Sequence, residues 1–118
     1  MIEVIEIQSR ERLLGQLALA RKAGKTVFGF EKVKQIVTKK EFGVLIQAID
    51  GSLRERKRIS CLVSEKDLII CLNSIELGKI FGREKLIHCA VLKSGFLEKI
   101  IFNANLLNNL KKPLPHYN

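Results

Sequence analysis

Tryptophan is absent from these 118 residues, tyrosine occurs once and histidine twice. Most of the six phenylalanines fall at expected core positions, so few aromatic faces remain for stacking a single strand of nucleic acid. Catalytic groups are equally scarce. His88 stands before an expected strand and His116 in the tail, and neither joins a set of nucleophile, base and orienting group, so no enzyme active site is expected. GxGxxG, HExxH and the complete phosphate loop are missing. Gly24-Lys25-Thr26 copies only the end of that loop, and Leu19 stands where its first glycine belongs. The three cysteines, Cys61, Cys71 and Cys89, are odd in number and form no CxxC pair, which excludes a disulfide framework and a zinc site. Cys71 and Cys89 lie in apolar runs and Cys61 in a helical pattern, so all three are expected as small packing hydrophobes. No apolar run approaches the roughly 18 residues of a membrane span. The opening MIEVIEIQSRER lacks the basic-then-apolar pattern of a leader, so a cytoplasmic chain without a membrane partner is expected. Nothing calls for a cofactor, a metal or a small-molecule substrate.

Positive charge is what the chain has in excess. The net charge of +9 points to nucleic acid or another anionic surface. Two segments carry it. Arg21, Lys22, Lys25, Lys32, Lys34, Lys39 and Lys40 oppose only Glu31, and Arg54, Arg56, Lys57 and Arg58 oppose only Glu55.

A length of 118 residues and 47% apolar content suit one domain with one core. Residues 1–8 hold Ile2, Val4, Ile5 and Ile7 among glutamates, an imperfect alternation that reads as an edge strand or an arm. Ser9 is the expected N-cap of a first helix, with Leu13, Leu17 and Ala20 on its inner stripe and Gly24 just past its end. Lys25 to Phe28 leaves room for a brief strand. Gly29 then opens a second helix marked by Phe30, Val33 and Val37, and the turn from Gly29 to Lys32 is either a plain strand-to-helix connection or an anion contact. Phe42 to Ile49, Leu68 to Leu72 and Cys89 to Leu92 are apolar without alternation, as strands covered on both faces are. Between them, Ser52 caps a third helix with Leu53, Ile59, Leu62 and Val63 turned inward. Asn73 or Ser74 caps a fourth with Leu77, Ile80 and Phe81 buried, ended by Gly82. Leu97, Ile100, Ile101, Ala104 and Leu107 line a final helix. Such alternation predicts a three-layer α/β/α sandwich, a single domain over 9–110, and a flexible tail over 111–118.

The runs LALARKAGKTVFGFEKV, VLIQAID, SIELGKIFGRE and AVLKSGF resemble the short bacterial YlxQ-type proteins of the ribosomal L-seven-Ae and L-thirty-e superfamily. The resemblance covers about Leu13 to Ile101 and implies a four-stranded mixed sheet between helices. It also implies binding of structured RNA, ribosomal or ribosome-associated, in some members a kink-turn with tandem sheared G·A pairs. Contacts in that family come from the start of the second helix and the loop before the last strand. Carried onto this chain, the first surface is Gly29, Glu31, Lys32 and Gln35, with Phe30 among them and the cations Lys25 and Lys34 adjoining. The second is Arg83, Glu84 and Lys85 within Gly82 to His88. Kink-turn binders open the second helix with Gly-x-Asn-Glu-x-x-Lys, and only Gly29 matches. Glu31 puts an acceptor-only carboxylate in place of an amide, Lys32 a donor-only ammonium in place of a carboxylate, and Gln35 an amide in place of a lysine. The alternatives are an adaptor for other proteins that has lost base reading, or the RNA-recognition partner of an RNA-modifying enzyme. A YlxR-type domain acting in trans is a further implied partner.

Overall fold

The structure is a computed structural model that describes residues 1–110; the expected tail, 111–118 with His116, lies outside the described residues. In chain order the elements are α1 (Ile2–Lys22), β1 (Thr26–Phe28), α2 (Phe30–Ile36), β2 (Phe42–Ala48), α3 (Leu53–Ser60), β3 (Leu68–Leu72), α4 (Ser74–Ile80), β4 (His88–Leu92) and α5 (Leu97–Leu110). The strands form one mixed sheet in the order β1-β4-β2-β3. β4 runs antiparallel to both β1 and β2, and β2 runs parallel to β3.

Both faces of the sheet are covered, as continuous apolar strands require. Leu13, Leu17 and Ala20 of α1, Leu77 of α4, and Ile100, Ala104 and Leu107 of α5 pack on Val44, Ile46, Cys71, Cys89 and Val91. Val33 of α2, Val37 just past its end and Ile59 of α3 pack on Leu45 and Ala90 from the other side. Neighbouring strand residues point to opposite faces, so Leu45 and Ile46 serve different layers. The three-layer α/β/α sandwich with a four-stranded mixed sheet is the observed architecture.

Several local expectations are corrected. Residues 2–8 are neither edge strand nor arm: α1 begins at Ile2, and Ser9 is a buried residue inside it rather than its cap. Once a helix is nucleated each added residue gains a hydrogen bond, so α1 propagates backwards through its β-branched start. Arg10 anchors that turn, with Nη1 2.6 Å from both carboxylate oxygens of Glu76 and Nη2 3.3 Å from Glu6. On α3 only Ile59 is buried. Leu53 and Leu62 are exposed, and Cys61 is exposed rather than packed. Among the described residues, no helix is long and apolar enough to cross a membrane.

Candidate nucleic-acid interface

Gly29 sets the geometry. Its N–H donates to the His88 carbonyl at 3.2 Å and its carbonyl accepts from Val33 at 3.0 Å, so α2 starts beside the first residue of β4. The backbone there has φ 90° and ψ 154°, a region open essentially to glycine alone. The loop from Gly82 to Ile87 reaches the same place from the other side. It is fastened to α4 by Arg83 N–H donating to the Gly78 carbonyl at 2.9 Å and Leu86 N–H to the Ser74 carbonyl at 3.0 Å. A Cβ on Gly78 would lie 2.6 Å from the Arg83 carbonyl oxygen, so only glycine lets the loop lie this close. Ser74 is held in turn. Its N–H and hydroxyl each donate at 2.7 Å to Asp50, and the hydroxyl bond first of all keeps the Asp50 carboxyl below its ordinary pKa.

Between the two segments lies a pocket of about 350 Å³ lined by Phe28, Gly29, Phe30, Glu31, Lys32, Arg83, Lys85 and Leu86. Phe28 stacks on Phe81 with ring centres 4.6 Å apart. Its ring carries two cations: the Arg83 guanidinium carbon at 5.5 Å and the Lys32 ammonium at 6.0 Å from the centre. Phe30 is flanked in the same way, by Arg58 at 4.1 Å and Lys34 at 5.8 Å. Among the described residues, no ion pair joins any of these cations to a carboxylate. Half-buried rings bordered by cations without carboxylate partners offer a face for a planar base and donors for a phosphate.

Of the residues singled out from sequence, Gly29, Phe30, Glu31, Lys32, Arg83 and Lys85 come together in this pocket. Four do not line it. Lys25 lies at the turn into β1, where its carbonyl accepts from Leu92. Lys34 sits on the outer side of Phe30, Gln35 lines a separate groove with Val27, Lys32, Ile36 and Lys39, and Glu84 is exposed in the loop. Phe28 and Leu86 belong to the pocket although no motif marks them. Phe28 directly precedes Gly29, but a three-residue strand is too short for alternation to show its face. Phe28 and Phe30 are half-buried and Phe102 is exposed, so the phenylalanines are less confined to the core than expected.

His88, expected before the strand, is the first residue of β4 and is 2% exposed. Its ring lies 5.9 Å from that of Phe30, and its Nδ1 lies 3.2 Å from Gln47 Nε2. Burial, reinforced by Arg58 and opposed by Glu55, holds its pKa below the ordinary value. Gln47 Nε2 also donates to the Arg56 carbonyl at 2.9 Å, and Arg56 Nε donates to the Gly51 carbonyl at 3.1 Å, so the inner side of α3 is tied to the sheet. Among the described residues, no group of three or more His, Cys, Asp or Glu side chains is placed to hold a metal ion.

No protein-family model and no curated protein matches the chain. A solved structure of a Bacillus halodurans protein of unknown function is similar, with a TM-score of 0.70 and 20% identity. The match covers 80% of this chain and 97% of that one. It places the chain in a known class of α/β fold.

Proposed function

We propose that this chain is a non-enzymatic RNA-binding protein related to the YlxQ-type proteins. It recognises a structured RNA through the start of α2 and the loop before β4. The observation that carries the reading is Phe28 in the lining of the pocket, with Lys32 and Arg83 from distant parts of the chain over the same ring. Both cations are exposed. A base laid on the accessible part of a half-buried ring brings its phosphates to the rim, where the donors stand. Glu31 lines the pocket as an acceptor and reads a base amino group rather than a phosphate. Ribosomal RNA, rich in folded internal loops, supplies partners of this shape.

Titration of a fluorescein-labelled RNA carrying an internal loop with tandem G·A pairs, repeated over a salt series, tests the reading. The double substitution Lys32→Ala with Arg83→Ala should weaken binding by about tenfold or more and lower the salt slope by close to ~2, since each phosphate contact contributes about 0.9. Melting temperature should not change. Wild-type and doubly substituted chains with the same affinity and slope would remove the pocket from the binding site.

A further inference from the structure

The second basic segment has its own architecture. Within the run Arg54 to Arg58, the side chains divide between two sides of α3. Arg56 turns inward, its Nε donating to the Gly51 carbonyl at 3.1 Å, and the next turn buries Ile59. Arg54, Lys57 and Arg58 occupy the opposite arc, as residues three and four apart on a helix do. All three are exposed. Among the described residues none of them forms an ion pair, although Glu55 sits beside them. Arg54 and Arg58 line a polar cleft with Ser52 and Glu55. Arg58 lies 4.1 Å over Phe30, a pocket residue, with Lys34 of α2 on the same ring. A positive strip therefore runs from Lys32 and Arg83 across Phe30 to the outside of α3. Like charges repel, so a row of cations without counterions is costly on a surface facing only water and favourable against a polyanion. Ordinary α3 packing does not need it, because Arg56, Gln47 and Ile59 hold the helix from within.

We propose that the outer face of α3, through Arg54, Lys57 and Arg58, is a second contact for the phosphate backbone of the same RNA. Phe30 and Arg58 join it to the pocket. The inference rests on the RNA-binding reading and enlarges the footprint from one base-sized pocket to two backbone segments. The contact is to phosphates, so it adds affinity and salt dependence without sequence preference.

The test uses the full chain, the same labelled internal-loop RNA, and two substituted proteins. Arg54→Ala with Lys57→Ala removes two strip cations whose side chains make no hydrogen bond among the described residues. Lys93→Ala with Lys99→Ala removes the same charge from exposed positions on other elements. The first pair should weaken binding by about tenfold at ~0.1 M salt and lower the salt slope by close to ~2, while the second leaves both nearly unchanged. Equal losses from the two pairs would show that charge acts diffusely and would overturn the α3 contact. No loss from the first pair, with the wild type still binding, would overturn it and leave the pocket reading standing. A wild type that fails to bind this RNA even at low salt would remove both.

Discussion

Among the described residues, α1, α4 and α5 cover a cluster of sixteen buried residues on one face of the sheet, and α2 and α3 cover a cluster of five on the other. The two longest helices, α1 with 21 residues and α5 with 14, lie on the larger side, while α4 beside them has seven, as short as α2 and α3 with seven and eight. Arg10 on the larger side is paired with two carboxylates, and the cations around Phe30 on the smaller side with none among the described residues. Buried polar side chains occur on both sides, Gln47 and His88 near Phe30 and α3, and Ser9, Ser74 and Asn103 on α1, α4 and α5. The larger layer is built to hold the sheet together. The smaller one is held by it, and carries Phe30 with the cations Arg58 and Lys34 around the ring.

The sharpest way to break this comparison is to truncate one core residue on each face. Leu17 is fully buried in the larger cluster, and Leu17→Ala should lower unfolding free energy by about 2 to 5 kcal/mol through lost transfer energy plus a cavity. Val33 is fully buried in the smaller one, and Val33→Ala removes only two methyl groups, worth about 1.6 kcal/mol. Urea denaturation measures both. Equal losses would mean that stability is shared evenly between the layers, and the reverse order that the smaller layer dominates.

Gly78 tests the seam between the faces, since α4 belongs to the larger side and the loop it supports carries Arg83 and Lys85. Gly78→Ala places a Cβ 2.6 Å from the Arg83 carbonyl oxygen and 3.1 Å from the Lys85 nitrogen, both backbone atoms that cannot rotate away. The expected outcome is a stability loss of about 1 to 3 kcal/mol from overpacking. RNA affinity of the folded protein should fall with it, because Arg83 leaves Phe28. A variant that loses stability but binds as before would show that the loop does not need its position.

Much of this architecture is legible in the chain itself, for local reasons. β3 spans Leu68 to Leu72 as read from sequence, and Ser52 and Asn73 accept hydrogen bonds from Glu55 and Glu76 as caps do. Gly24 and Gly29 end α1 and open α2 at the expected places. What could not be read depends on partners distant in sequence. The first turns of α1 look strand-like until Arg10 meets Glu76, 66 residues away. Periodicity gives α3 an apolar stripe of four, but the sheet beneath accepts only Ile59 fully. Six of ten residues singled out for contact share the pocket. The family's second-helix pattern carried Gln35 along with them and nearby charge carried Lys34, although neither lines the pocket. His88 has no local signature at all, since its place beside Gln47 and Phe30 is set by other elements.

That histidine allows the smallest and most specific test of the smaller face. The Arg56 carbonyl can only accept, so the amino end of Gln47 must point at it, and the other proton of that amino group points at His88 Nδ1. Nδ1 therefore accepts, and the proton of the neutral ring sits on Nε2. Nε2 faces Glu55 Oε1 at 4.0 Å, too far for a hydrogen bond. Protonating the ring would set a second donor against the Gln47 amino group, and burial already disfavours the charge. With the folded pKa below the unfolded one, the unfolded chain binds more protons between the two values. Stability from this group is then fully present above about pH 6.5 and is lost as pH falls through the depressed folded value. Urea midpoints taken from about pH 7.5 down to about 5 should decline in the wild type, with a smaller decline in His88→Gln. Identical pH profiles for the two proteins would mean that neutral His88 does not hold α3 to the sheet, and that the smaller face stands on its five apolar residues alone.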